Sequence, residues 1–186
     1  MFRAIAILFV SISFLFLLFP QVKTQAIIPE YKRTDWNHWI DLDNDCQNLR
    51  QELLILESLK PVSFTNSYNC TVEKGLWIDP YSNNYFTLSS DLDIDHVIPL
   101  YYAHIAGGYQ WSQITKETFA NDPENLLIVH DQINRAKGAM GPSDFMPHNN
   151  QCDYVKIWFN ITSKYKLTLY SRDVDAIEQT LNGCAP

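Results

Sequence analysis

The sequence is short of positive charge and of flexible residues. Its 186 residues include 14 Lys and Arg against 21 Asp and Glu, a formal net charge of −7, and only six glycines. This acidity excludes the strongly cationic proteins that wrap nucleic acid through global charge. The sequence also lacks repeats and low-complexity stretches, which excludes fibrous and disordered classes. With 46% hydrophobic residues, the chain has enough apolar material for one modest core.

Outside its first segment, the sequence lacks any apolar run long enough to span a membrane. Arg3 precedes a run from Ala4 to Phe19 that is interrupted only by two serines, and small residues follow at Thr24 and Ala26. The run is shorter than the roughly 20 residues of a membrane span. The pattern is typical of a signal peptide over residues 1–26, with a retained anchor as the alternative. We predict a single secreted, extracellular domain over residues 27–186, without stable membrane association after signal removal.

The four cysteines lack zinc-site spacing, because neither a Cys-x-x-Cys motif nor a neighbouring Cys/His pair occurs. An even number of cysteines in an exported chain favours disulfides. Of three pairings, we favour Cys46–Cys70 and Cys152–Cys184, since each joins neighbouring elements. Each bridge is expected to stabilise the fold by about 3 kcal/mol in the chain-entropy model. Two triplets starting at Asn69 and Asn160 match the glycosylation pattern.

The hydrophobic pattern predicts an α+β domain. Leucines at helical spacing predict a helix over 45–58, with Asp43 or Asp45 as its cap. Turn residues between two β-type segments predict a hairpin within 68–88. The remaining predicted elements are strands over 92–98 and 126–129, and helices over 101–105, 112–119, 131–137, 152–159 and 173–181. The last two helices would be stapled by Cys152–Cys184.

Polar residues concentrate in three segments of the central region. These segments contain Asp91, Asp93, Asp95 and His96; then Asp122, Glu124 and Asn125; then Asn134, Arg135 and Lys137. Each segment alone is read more simply as loop caps or a solvated helix end. Together they supply the oxygen ligands for a hard cation and the base for a water that phosphodiester hydrolysis needs.

The placement of these residues suggests a division of labour. Asp95 and His96 are adjacent, so on a strand their side chains point to opposite faces, one towards a metal and one towards a water. Asn134 and Lys137 are three apart and share a helix face, from which both could reach one phosphate.

The run from Asp93 to Pro99, then Asn125 before an apolar strand, then the segment 134–138, resembles the HNH or ββα-metal (His-Me finger) endonucleases. The subtype is the one in which an Asn replaces the final His. Further segments resemble secreted relatives of the C-terminal HNH domain of GmrSD-type restriction enzymes; they begin at Trp39, Arg50, Gly75, Phe119 and Pro142. The resemblance covers most of residues 31–184.

This resemblance implies a ββα-metal core over about 91–138, preceded by a helix and hairpin and followed by two helices. It implies that Asp95 and Asn134 ligate the metal, that His96 is the general base and that Asn125 braces the loop holding His96. The roles of Arg135 and Lys137, at the family's basic positions, are inferred from charge as contacts to the substrate phosphate or to the transition state.

The implied activity is a secreted metal-dependent endonuclease that acts on DNA, with RNA as a second substrate. One divalent cation is expected, Mg²⁺ first and Mn²⁺ as the alternative, and no obligate protein partner is implied. Two interpretations stay open: a catalytically silent secreted binding module on an HNH scaffold, and a phosphodiesterase acting on another substrate.

Two features outside the motif have competing interpretations. Asp41, Asp43 and Asp45, with Glu52 at loop position 12, imitate a calcium-binding EF-hand, but Cys46 stands where the invariant Gly is required. We therefore favour a helix cap there. His130, just before the last polar segment, is the other histidine that we keep as a functional candidate.

Overall fold

The computed structural model describes residues 27–184, so the predicted signal peptide lies outside the described residues. The elements in chain order are α1 (Leu49–Leu56), β1 (Ser63–Phe64), β2 (Val72–Ile78), β3 (Tyr85–Leu88), β4 (Leu92–His96), α2 (Leu100–Ile105), α3 (Gln113–Ala120), β5 (Leu126–His130), α4 (Asp131–Lys137), α5 (Gln151–Tyr165) and α6 (Ser171–Gly183). The predicted α+β class is confirmed. Within these residues, no helix has the length and apolar character needed to cross a bilayer.

The N-terminal part is a three-stranded antiparallel sheet, ordered β1-β2-β3, with α1 packed against it. Leu54 of α1 and Trp77 of β2 are buried, and the Trp77 indole Nε1 donates to the Leu54 carbonyl at 2.8 Å. The hairpin of β2 and β3 agrees with the predicted one. The short β1 was not predicted, because two residues carry no period and pair only through contact with β2.

The start of α1 corrects one prediction. The helix begins later than expected, and its cap is Asn48, whose side chain accepts from the Gln51 amide. Asp43 and Asp45 lie in the preceding loop, where Cys46 has a positive φ of 74° that ends any helical path. Their carboxylates cluster with that of Asp41 on the exposed surface, with oxygens within 4.8 Å of one another.

The central unit consists of β4, β5 and α4. The two strands pair antiparallel, with His96 opposite Leu126 and Asp95 opposite Leu127. Paired residues share a face, and on one face Ile94 and Ile128 pack towards α1 and the first sheet. Asp93 and Asp95 point to the other face, on which α4 lies. Strand, strand and helix thus follow the ββα order.

The C-terminal helices close the opposite side of this unit around a second core. That core contains Tyr102, Phe119, Trp158, Ile161 and Ile177, all buried. α5 is longer than predicted and its Phe159 is exposed. Both favoured disulfides are present: Cys46–Cys70 closes the loops before α1 and β2, and Cys152–Cys184 joins the start of α5 to the end of α6.

Candidate active site

A cleft of about 270 Å³ opens beside β4. Its walls come from β4, from the start of α2, from the end of α4 and from the segment before α1, where Arg33 begins a short 3-10 helix. The lining residues include Asp95, His96 and Asn134, with Tyr31, Arg33, Tyr101 and Ala139 around them. The cleft therefore gathers three predicted site residues from two elements that are about 40 positions apart in sequence.

Asp95 is held from two sides within the protein. It is 3% exposed, its Oδ1 accepts from the Lys137 ammonium at 2.9 Å, and its Oδ2 accepts from the Tyr81 hydroxyl at 2.7 Å. Burial raises the pKa of the Asp95 carboxyl, and the Lys137 charge works against that rise. The two hydrogen bonds fix the carboxylate in one orientation at the wall of the cleft.

Lys137 lies deeper than the sequence predicted. Its side chain is fully buried, and its Nζ also donates to the His96 carbonyl at 2.9 Å. Burial lowers the pKa of the Lys137 ammonium, and the charge of Asp95 opposes that fall. The ammonium therefore bonds to Asp95 and to the β4 backbone, and Lys137 does not line the cleft with Asn134.

His96 points to the opposite face from Asp95, as expected for adjacent strand residues. Its Nε2 lies 2.8 Å from the Ala120 carbonyl oxygen. A carbonyl can only accept, so Nε2 carries the proton and Nδ1 retains a free lone pair. Burial is the main cause that lowers the pKa of the His96 imidazole to about 3. The ring is therefore neutral near pH 7 and has the tautomer that a base acting through Nδ1 requires.

Asn125 lies behind this histidine, where β5 begins. It is fully buried, its Oδ1 accepts from the Ile98 amide at 2.8 Å and its Nδ2 donates to the Ile98 carbonyl at 3.2 Å. The Val97 amide also donates to the Asn125 carbonyl. The side chain thus ties the turn that follows His96 to the partner strand.

Asn134 and Arg135 diverge although they are neighbours on α4. The Asn134 side chain lines the cleft, and its Nδ2 donates to Asp93 Oδ2 at 3.1 Å. Arg135 is 62% exposed and pairs with Asp131 at 2.7 Å on the solvent side of the helix. The structure therefore does not bring Arg135 together with the cleft residues.

Three neighbours of the site received no role from the sequence, although one of them, Trp39, begins a segment that resembles the family. Arg33 lines the cleft, is exposed, and donates to His38 Nε2 at 3.2 Å. His38 and Trp39 lie 6.1 and 5.4 Å from the His96 ring, centroid to centroid. Nothing in the sequence singles out Arg33, because a lone Arg in an irregular segment has no period or motif; Tyr81, the partner of Asp95, falls within a segment that resembles the family.

His130, in contrast, lies away from the site. It pairs with Leu92 at the other end of the β4–β5 ladder from His96. Its ring stacks on Phe86 with centroids 4.7 Å apart. Strand geometry places the two histidines roughly 13 Å apart along the ladder.

The donor set of the cleft fits a hard divalent cation. A carboxylate oxygen and an amide oxygen are ligands that Mg²⁺ accepts, with waters completing the shell. The Asp95 oxygens each have one hydrogen bond and retain a further lone pair. The Lys137 ammonium bonds to Oδ1 of Asp95, so Oδ2 is the oxygen that lies further from the buried positive charge.

Comparison with known proteins identifies the class. Residues 52–179 match the family described as GmrSD restriction endonucleases, C-terminal domain. The chain belongs to this family, which is a nuclease-type hydrolase family of the HNH kind whose members generally use a divalent metal and act on nucleic acid.

A relative from Arthroderma benhamiae, named an uncharacterized secreted protein, is 34% identical over 167 residues, covering 88% of this chain and 80% of the relative. No solved structure matches the chain. The name of this relative and the two disulfides agree with an extracellular location.

Proposed function

We propose that the protein is a secreted, divalent-cation-dependent endonuclease that hydrolyses phosphodiester bonds of DNA, with RNA as a second substrate. The observation that carries the proposal is the neutral His96, with a free Nδ1, in the same cleft as Asp95 and Asn134. A base and two oxygen donors around one cleft are the parts that metal-assisted hydrolysis requires. Family membership supports the substrate class.

The protein groups take distinct roles in this proposal. His96 accepts the proton of the attacking water at Nδ1, while its Nε2–H stays on the Ala120 carbonyl. Asp95 and Asn134 would hold the cation, Mg²⁺ or alternatively Mn²⁺, which supplies positive charge to the phosphate and to the departing oxygen. The expected products have 5′-phosphate and 3′-hydroxyl ends.

The buried residues support these groups from behind. Tyr81 and Lys137 prevent the Asp95 carboxylate from rotating, since each of its oxygens has a fixed donor. Asn125 holds the turn after His96, which keeps the imidazole at the cleft. Fixed groups of this kind lower the reorganisation that the reaction would otherwise require.

The test of the activity uses the secreted protein with plasmid DNA and with RNA, in Mg²⁺ and in chelator. We expect cleavage in Mg²⁺ only, and His96→Ala should lower the rate by about 10²- to 10⁴-fold, the usual contribution of a general base. His130→Ala is the matched control and should cleave at the wild-type rate. The proposal would be refuted if His96→Ala and wild type cleaved at equal rates, or if wild type cleaved no nucleic acid with any metal tried. Cleavage of small phosphodiesters alone would indicate a different substrate.

Arg33 is the cation that we expect to contact the scissile phosphate. It faces solvent at the cleft, its charge reaches His96 and contributes to lowering the pKa of that imidazole, and no carboxylate pairs with it among residues 27–184. Arg33→Ala should reduce kcat/KM by about tenfold or more, the value of a charge-assisted hydrogen bond. Arg135→Ala, already paired with Asp131, should stay within about twofold of wild type in steady-state kinetics. A larger loss of kcat/KM in Arg135→Ala than in Arg33→Ala would indicate that Arg135 of α4 contacts the phosphate instead.

A further inference from the structure

Asp93 contacts the site but is neither a proposed metal ligand nor the proposed base. It lies two residues before Asp95 on β4 and therefore points to the same face of the strand pair. Its Oδ2 accepts from the Asn134 Nδ2 at 3.1 Å. Asp93 does not itself line the cleft, so its contact with the cleft passes through the Asn134 amide.

This contact decides which atom Asn134 presents. An Asn amide carries a donor nitrogen and an acceptor oxygen at nearly equal positions, and either can face a neighbour. An ionised carboxylate can only accept, so the Asn134 nitrogen must face Asp93. Reversal of the amide would set two oxygens against each other and lose the hydrogen bond. The oxygen, Oδ1, is consequently the atom left for a cation, and a hard cation binds only that atom.

A cation from α1 fixes the end of the segment that precedes Asp93. The Arg50 guanidinium donates to the carbonyls of Ser89 and Leu92, at 3.0 and 2.9 Å, and so pins the backbone that leads into Asp93. Burial lowers the pKa of the Arg50 guanidinium, and the charge of Asp93 works against that fall. Arg50 thus holds the backbone before Asp93, and the Asn134 amide holds the Asp93 carboxylate.

We propose that Asp93 is a positioning residue of the cation site, which locks the Asn134 amide with its oxygen directed to the bound ion. The inference rests on the proposed function, because it needs Asn134 as a ligand. Groups that orient metal ligands from behind commonly change metal affinity by about 10- to 100-fold when they are replaced. An Asn at position 93 has both a donor and an acceptor, so it would accept either orientation of Asn134.

The test is Mn²⁺ binding to the full secreted chain, measured by titration calorimetry without substrate. The binding that Asn134→Ala removes defines the site and separates it from binding at the exposed carboxylates of the loop before α1. We expect Asp93→Asn to weaken that binding by about 10- to 100-fold. Asp91→Asn removes the same charge two residues away, where Ser90 Oγ is the one side-chain donor to the carboxylate among residues 27–184, and should weaken binding by less than about threefold. Thermal unfolding checks each variant, and Asp93→Ser replaces Asp93→Asn if the latter does not fold.

Each outcome bears on one claim. Equal weakening in Asp93→Asn and Asp91→Asn would mean that only charge matters and would overturn the positioning role, as would unchanged binding in Asp93→Asn. If Asn134→Ala removes no Mn²⁺ binding, Asn134 is not a ligand and the inference fails with it. Nucleic-acid cleavage is assayed separately: an inert wild type whose Mn²⁺ affinity still depends on Asp93 would refute the endonuclease and leave the inference standing.

Discussion

At the scale of single residues, the main feature is the buried charge pair behind the cleft. Asp95 and Lys137 are both withdrawn from water, and Tyr81 satisfies the remaining oxygen of the carboxylate. A buried charge without a partner is costly, whereas a buried pair with its hydrogen bonds made is tolerated. The ion pair therefore joins β4 to the end of α4. Removal of one partner is expected to destabilise the fold, because the other charge stays buried.

Lys137→Met should destabilise the protein by about 3–5 kcal/mol, since it leaves the Asp95 carboxylate buried and unpaired. Urea unfolding monitored by circular dichroism measures the change. Lys156→Met is the control: Lys156 is 53% exposed and pairs with an exposed Asp153, so its loss should stay within about 0.5 kcal/mol. Adding Asp95→Asn to Lys137→Met should recover part of the loss, because the stranded charge is gone. An equal stability for Lys137→Met and Lys156→Met would contradict the buried pair.

At the scale of elements, the ββα unit brings side chains from three elements together around one cleft. β4 sends Asp95 and His96 to opposite faces, β5 supplies Asn125 to hold the following turn, and α4 brings Asn134 alongside Asp93. None of these elements exceeds seven residues. Short elements of this kind have little stability alone and depend on packing against their neighbours.

The closing helices provide part of that packing, and the disulfide that joins them is testable. Replacing Cys152 and Cys184 together by Ala should lower the free energy of unfolding by about 3 kcal/mol, since the bridge closes a loop of 32 residues. The Cys46–Cys70 loop of 24 residues should give a similar loss, because loop entropy depends on the logarithm of length. Urea unfolding of wild type and of both double variants at the same pH measures the two losses in free energy of unfolding. A negligible loss for the C-terminal pair would show that α5 and α6 are held by their apolar faces alone.

At the scale of the whole molecule, the acidity of the chain limits how it can bind nucleic acid. Residues 27–96 carry 12 acidic and 5 basic groups, whereas residues 97–186 carry 9 and 7. Among the described residues, the cation that lines the cleft is Arg33, which lies in the acidic part. Substrate attraction must then come from a few local charges and the bound ion, and the surrounding carboxylates oppose a long binding track.

We therefore expect weak, salt-sensitive binding without sequence preference. If about two phosphates are neutralised, the affinity of His96→Ala for a labelled DNA duplex should fall about tenfold between 50 and 200 mM salt. Fluorescence anisotropy with the inactive variant measures this without cleavage, and a second duplex of unrelated sequence is the control. Affinity that stays tight at 200 mM salt, or that differs strongly between the two duplexes, would count against a binding mode based on a few phosphates.

The sequence predicted the secondary-structure elements better than it predicted the contacts between residues distant in sequence. The segments that became β4, β5 and α4 carry a local period and clear ends, and these survive in any packing. The cap of α1 was misplaced because several polar residues precede the helix, and only the hydrogen bond from the Gln51 amide to the Asn48 side chain shows where the helix begins. Asp93 and Tyr81 received no role because each acts through a partner distant in sequence: Asn134 and Asp95.

The sequence by itself determined the α+β class, the order of the main elements and the residue types available for a hydrolytic site, and it favoured the disulfide pairs that the structure contains. Tertiary structure alone decided which of those residues meet. It buried Lys137 against Asp95, turned Arg135 to solvent and placed Arg33 at the cleft. The reason is physical: helix and strand formation follow from neighbours a few residues apart, whereas burial, ion pairing and the tautomer of His96 depend on atoms that only folding brings within hydrogen-bond distance.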